Sequence, residues 1–327
     1  MKHFLYGLFR FSLLLAVIAG CGWATLYFSG CFDAPPMVAY IQAEGAGYAL
    51  PDSVRASLEQ EGFGFQLYTQ AEDPAAKGAE LLQAGVCTLI LDLDESLRAP
   101  AALLKTAEEH HATLLFVGQH PGRQALAYEK SWYLYSDPAH AGELLGKQAA
   151  LLFREGIAAD RNEDHLLQYV WAGVLGNGQA HALRTYALIE CEHYGVYTAL
   201  GAELEASASE LAAMAVNEWA VLDAPPELVL TSDPEALKAA LEAAGQLGWL
   251  APEQPDLPFL TCANSKEQAQ ELLEQGAARA VAYYDLEQVT RYLAQFALNA
   301  VQSRYVADGM GLYPDGNCFV VPYQLLS

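Results

Sequence analysis

Between Asp160 and Gln168 the chain reads Asp-Arg-Asn-Glu-Asp-His-Leu-Leu-Gln. Oxygen-bearing side chains fall at loop positions 1, 3, 5 and 9, from Asp160, Asn162, Asp164 and Gln168, and the Leu166 carbonyl is available at position 7. A hard cation takes six to eight oxygens, and alternate residues of a tight loop converge on one point, which is the ligand order of an EF-hand-type calcium loop. The glutamate of position 12 is missing locally. Glu227, opening a strand that can lie beside Leu166–Ala172, is the best carboxylate to complete the set. Position 6, ordinarily glycine, is His165, a residue type that tolerates positive φ better than most. The competing reading of the same residues is an acidic surface turn closing a helix. Other chemistry finds little support: His110, His111, His120 and His140 are not spaced with carboxylates as a metal site, and neither Gly-x-Ser-x-Gly nor a phosphate-binding glycine loop occurs. The expectation is a protein that is not an enzyme. The six cysteines form no CxxC pair and no zinc-like spacing.

The elements that must position such a loop alternate regularly. Strands are expected at Met37–Gln42, Phe63–Tyr68, Thr88–Leu93 and Thr113–Val117, separated by helices at about 51–61, 74–84 and 100–110. Short runs rich in Val, Ile and Leu between helices of a few turns indicate a parallel sheet covered on both faces. A linking stretch around Trp132–Asp137 leads to a second series, with strands at 166–172, 197–200, 227–230, 259–261 and 280–284 and helices at 139–154, 179–193, 206–222, 234–245 and 266–274. A helix at about Leu286–Val306 and a short strand Cys318–Pro322 end the chain. A length of 327 residues suits two cores. The net charge of −23 excludes nucleic acid as a partner, because a polyanion needs a basic footprint. Open α/β sheets bind ligands at the carboxyl ends of their strands, so the loops after Gln42, Val117, Ala172, Leu230 and Thr261 are where a site is expected.

Lys2 and Arg10 precede an apolar run, Phe11–Phe28, and the next basic residue is Arg55. That asymmetry keeps the N-terminus inside and sends the rest outward. Ile18-Ala19-Gly20-Cys21 resembles a bacterial lipobox with Cys21 as the lipid-bearing residue, although the run stays apolar after it. Phe28-Ser29-Gly30-Cys31 is a weaker second match, and an uncleaved membrane helix is a third reading. Each places residues 36–327 on the outer face of the membrane.

Over residues 37–327 the chain resembles the galactose/glucose-binding proteins of sugar ABC transport and chemotaxis, which are type I periplasmic binding proteins. The resemblance is carried by Pro121–Leu126, Asp137 with the helix after it, Asp160–Gln168, the run GVLGNGQAHALRTY at Gly173–Tyr186, and the ending Val320–Tyr323. It implies two doubly wound, Rossmann-like α/β lobes joined by a three-crossing hinge: residues 36–135 with 285–320, and 136–284 with 321–327, after an anchor in 1–35. It also implies calcium on Asp160, Asn162, Asp164, Leu166, Gln168 and Glu227. The sugar site departs from the family. Where relatives read G-H-P-D-A-x-x-R, this chain has Gly176-Asn177-Gly178-Gln179-Ala180-His181-Ala182-Leu183, so the histidine, aspartate and arginine are lost. The stacking aromatics fall near Leu50 and Glu205. Tyr48, Asn177, Gln179, Asp233, Asn264 and Tyr284 remain to line a polar pocket, or else are loop polars and lobe packing. The expected function is a monomeric solute-binding protein presenting a small polar solute, such as a sugar derivative other than glucose or galactose, to an ABC permease or sensor. The alternative is a calcium-bound surface module with a vestigial cleft.

Overall fold

The computed structural model describes residues 37–43, 52–71, 73–93, 101–118, 120–174, 180–252 and 256–327. The leader, including Cys21, lies outside them. Among the described residues no helix is long and apolar enough to cross a membrane.

The first sheet holds β1 (Met37–Ala43), β2 (Gly64–Ala71), β3 (Val86–Leu93), β4 (Thr113–Gly118), β5 (Ser131–Ser136) and β11 (Cys318–Val321) in the order β11-β5-β4-β3-β1-β2, every neighbour parallel. Its faces are covered by α1 (Asp52–Gln60) and α9 (Leu286–Val301) on one side, and by α2 (Pro74–Gln83) and α3 (Ala101–Glu109) on the other. The second sheet repeats the plan as β12-β10-β9-β8-β6-β7, from β6 (Leu167–Val174), β7 (Thr198–Ala206), β8 (Leu228–Thr231), β9 (Phe259–Ala263), β10 (Ala280–Tyr283) and β12 (Gln324–Leu326). Here α4 (Pro138–Arg154) and α5 (Ala180–His193) share one face; α6 (Leu211–Trp219), α7 (Pro234–Gln246) and α8 (Lys266–Glu274) share the other. β12 runs antiparallel, against β10. Central strands are buried on both faces, as the continuous apolar runs require.

The chain passes between the sheets three times, at Asp137, at Tyr284–Asp285 and at Pro322–Tyr323. Two crossings open on a helix cap. Asp137 accepts the Ala139 N–H at 2.9 Å ahead of Pro138, and Asp285 accepts the Gln288 N–H at 3.1 Å. Capping carboxylates satisfy donors that the first helical turn leaves unpaired, and proline at the first position costs nothing there.

Four sequence expectations are corrected. The link at Trp132–Asp137 is mostly strand β5, in which Ser131, Tyr133, Leu134 and Ser136 are buried and Trp132 and Tyr135 are partly covered. Strand β7 runs to Ala206 instead of ending at Leu200, and α6 starts five positions later than expected, after a turn in which Leu211 N bonds Ser207 O. The last expected strand stops at Val321, before Pro322, and the chain then adds β12.

Asn299 shows what closes the first lobe. Fully buried on α9, it donates from Nδ2 to Val306 O at 2.9 Å and to Asp308 O at 2.8 Å, and its Oδ1 accepts Gln295 Nε2 at 3.0 Å. Asn299→Ala should lower the free energy of unfolding by about 2–3 kcal/mol in urea titrations, because two carbonyls lose their donor. A midpoint unchanged within error would contradict this.

Candidate functional site

The Asp160–Gln168 loop joins α4 to β6. Glu163 and His165 hold left-handed backbone, at φ 61° and 63°. The chain therefore makes the sharp turn at position 6 without glycine. Glu227, 1% exposed and directly ahead of β8, staples the loop from outside: Oε1 accepts Arg161 N at 2.7 Å and Oε2 accepts Gln168 N at 2.9 Å. Its own N donates to Gln168 O at 2.8 Å. Asp164 organises the interior, with Oδ1 accepting Leu166 N at 2.8 Å and Oδ2 accepting Asn162 Nδ2 and Gln168 Nε2, both at 2.8 Å. Asp160 Oδ2 accepts His165 N at 3.0 Å, while Asp160 Oδ1 is buried with no hydrogen-bond partner. All six expected ligand residues thus meet in one cluster. Burial lifts the Glu227 carboxyl above the ordinary glutamate range, against the pull of its two backbone donors, and the Asp160 and Asp164 charges lift it further. Among the described residues no three His, Cys, Asp or Glu side chains are placed to hold a metal by themselves. A cavity of about 390 Å³ lined by Arg161, Asn162, Gln168, Pro226 and Glu227 adjoins the loop.

The second candidate region lies at the carboxyl ends of β8 and β9. A pocket of about 70 Å³ there is lined by Asp233, Asn264, Ser232, Ala180, Pro138 and Tyr323, among others. Asp233 is committed twice: Oδ1 caps α7 through Glu235 N and Ala236 N at 3.0 and 2.9 Å, and Oδ2 accepts Ser232 Oγ at 2.5 Å. Ser232 Oγ in turn accepts Val174 N at 3.2 Å, tying the ends of β6 and β8 together. Asn264 is exposed, with its N–H on Gln268 Oε1 at 3.0 Å. Tyr284 does not join this lining. It packs into the first-lobe core with its ring 5.9 Å from Tyr323, and its N–H reaches Ala263 O at 3.1 Å. Tyr48, Asn177 and Gln179 lie outside the described residues.

No protein-family model matches the chain. Over 120 residues it is 29% identical to the D-galactose/methyl-galactoside binding periplasmic protein MglB of Haemophilus influenzae, a match that spans 36% of each protein. In structure it is similar to a periplasmic solute-binding protein of an ABC transporter from Actinobacillus succinogenes, with bound D-allose. The TM-score is 0.64 at 13% identity, over 89% of this chain and 97% of that one. A Bacillus halodurans ABC transporter solute-binding protein with bound myo-inositol gives 0.60 at 14% identity, over 90% and 96%. The chain has the type I periplasmic binding protein fold.

The strand order reverses in each sheet, between β1 and β3 and between β6 and β8, and open α/β sheets bind ligands outside the carboxyl ends at such switch points. The loops after β1, β3 and β6 fall outside the described residues; the one after β8 is Ser232–Asp233. Two switch-point features escaped the sequence reading. Ser232 bridges the strand ends, and Asp92, 1% exposed at the end of β3, accepts Tyr40 Oη–H at 2.9 Å. The signal for Asp92 was a lone aspartate inside the apolar run Thr88–Leu93. A buried carboxylate in such a run needs a partner or a task.

Proposed function

We propose that this chain is an extracytoplasmic solute-binding protein whose lobes close on a small polar solute, a sugar derivative or polyol other than glucose or galactose, for an ABC permease or sensor. The observation that carries this reading is the pocket at the carboxyl ends of β8 and β9, beside the β6/β8 switch point. It is lined by Pro138 at the first crossing and Tyr323 at the third, so a solute placed there touches the segments about which the lobes hinge. The sugars and polyol in the names of the relatives support the ligand class. The leader, read as a Cys21 lipid anchor or an uncleaved helix, holds residues 36–327 outside the membrane. Thermal-shift measurements with D-allose, myo-inositol and a wider set of neutral sugars and polyols test the proposal. A solute at a hundred times its Kd adds about 2.7 kcal/mol, or about 4 °C for a chain of this size. Glucose and galactose should shift nothing. Micromolar binding of either hexose would sink the altered-ligand reading, and silence across the whole set would favour the vestigial cleft.

The same proposal assigns calcium to Asp160, Asn162, Asp164, Leu166, Gln168 and Glu227. The donor set is all oxygen, as a hard cation requires, and the buried, unpartnered Asp160 Oδ1 fits it. Bound calcium supplies positive charge among three mutually repelling carboxylates. Glu227 ties the loop to β8, Asp164 orders the turn, and Asn162 and Gln168 have amide oxygens to turn inward once Asp164 no longer takes their N–H groups.

A further inference from the structure

His165 stands where loops of this ligand order carry glycine, the residue that meets positive φ most easily. A side chain kept in that conformation calls for a reason. The imidazole lies on Asp160, with Nδ1 3.1 Å from Oδ2, and the His165 backbone N donates to that same oxygen at 3.0 Å. In the Nδ1–H tautomer, one residue directs two donors at one carboxylate oxygen. The other oxygen, Oδ1, is left buried and without a hydrogen-bond partner. The ring is 91% exposed, so packing does not hold it in place. We propose that His165 is a positioning residue for the loop cation: it engages Oδ2 of Asp160 with ring and backbone together and thereby holds Oδ1 ready for the metal. This rests on the calcium reading above but concerns how tightly the metal is held. Hydrogen-bond partners of ligating groups change metal affinity by about 10–100-fold, and the exposure of this ring points to the lower end.

The opposite view, that His165 merely fills the turn, predicts the opposite sign for one substitution. Glycine takes this φ without strain, so a pure turn residue replaced by glycine should leave calcium binding unchanged or tighter. The positioning role predicts that His165→Gly weakens it about tenfold, with no fall in the metal-free melting temperature. His165→Asn supplies the rescue. Its Nδ2 occupies the same place on Cγ as the imidazole Nδ1, and asparagine tolerates left-handed backbone. Calorimetry of the full-length chain with calcium chloride should give wild type and His165→Asn similar Kd values and His165→Gly a Kd about tenfold higher. A glycine variant that binds as tightly as wild type, or an asparagine variant as weak as glycine, overturns the proposal. So does a fall in the metal-free melting temperature of the glycine variant that matches its lost affinity. Absence of calcium binding by the wild type removes the calcium reading and this role with it, an outcome separable from the others because it appears before any substitution.

Discussion

Saturating calcium should raise the melting temperature of the wild-type chain by about 4 °C over chelator, and Glu227→Ala should melt lower and at one temperature in both. The first part follows from mass action: a ligand bound only by the native state, at a hundred times its Kd, adds about 2.7 kcal/mol. The second part follows from geometry. Glu227 is buried and holds Arg161 N and Gln168 N, so alanine strands two donors at about 1–3 kcal/mol each and also removes a proposed ligand. Asp160→Ala separates these contributions. Its Oδ1 has no partner to lose and its Oδ2 serves only His165 among the described contacts, so the metal-free protein should melt close to wild type while the calcium response disappears. Magnesium should do less, since it demands a tighter octahedron. Melting curves that ignore both calcium and chelator, or an Asp160→Ala chain with a full calcium response, would remove the metal from this loop.

The Asp160–Gln168 cluster was legible because five of its six residues fall within one nine-residue stretch and their alternation is itself the signal. Glu227 was reachable only through the expectation that two strands lie side by side, which β6 and β8 do. The parallel sheets were legible for a similar reason: strands buried on both faces leave uninterrupted apolar runs. Where burial is partial the pattern fades. Strand β5 mixes buried Ser131 and Ser136 with half-covered Trp132 and Tyr135, and it reads as a link. Edge strand β7 carries Glu203 and Glu205, so its carboxyl half looks like loop or the start of a helix. The pocket at the ends of β8 and β9 was less legible still. Asp233 and Asn264 do meet there, yet Asp233 spends its oxygens on α7 and Ser232, a local need indistinguishable in sequence from a ligand contact. Tyr284, taken for a cleft residue, is packing against Tyr323 at a crossing.

Gly146→Ala should destabilise the chain by about 2 kcal/mol, whereas Gly245→Ala should stabilise it by roughly 0.5–1 kcal/mol. Both glycines sit in helices, where alanine is intrinsically favoured by about 1 kcal/mol, so propensity alone gives them the same sign. Packing separates them. A Cβ on Gly146 would stand 2.1 Å from Ala187 O and 2.8 Å from Ala187 C and Cα, all backbone atoms that no rotamer change can move aside. One turn earlier, a Cβ on Gly142 would stand 2.3 Å from Leu183 O. The two glycines let α4 and α5 touch backbone to backbone, a contact reinforced by Cys191 Sγ donating to Gly146 O at 3.3 Å. Around Gly245 nothing lies within 4 Å of the added carbon. The consequence reaches the pocket, because Pro138 at the start of α4 and Ala180 and Leu183 at the start of α5 form part of its wall. Forcing the helices apart at Gly146 should therefore weaken solute binding as well as stability, while Gly245→Ala leaves binding unchanged. Urea midpoints measured in saturating calcium decide the signs. Two glycine variants displaced in the same direction would show that helix propensity, and not the α4–α5 contact, governs this face of the second lobe.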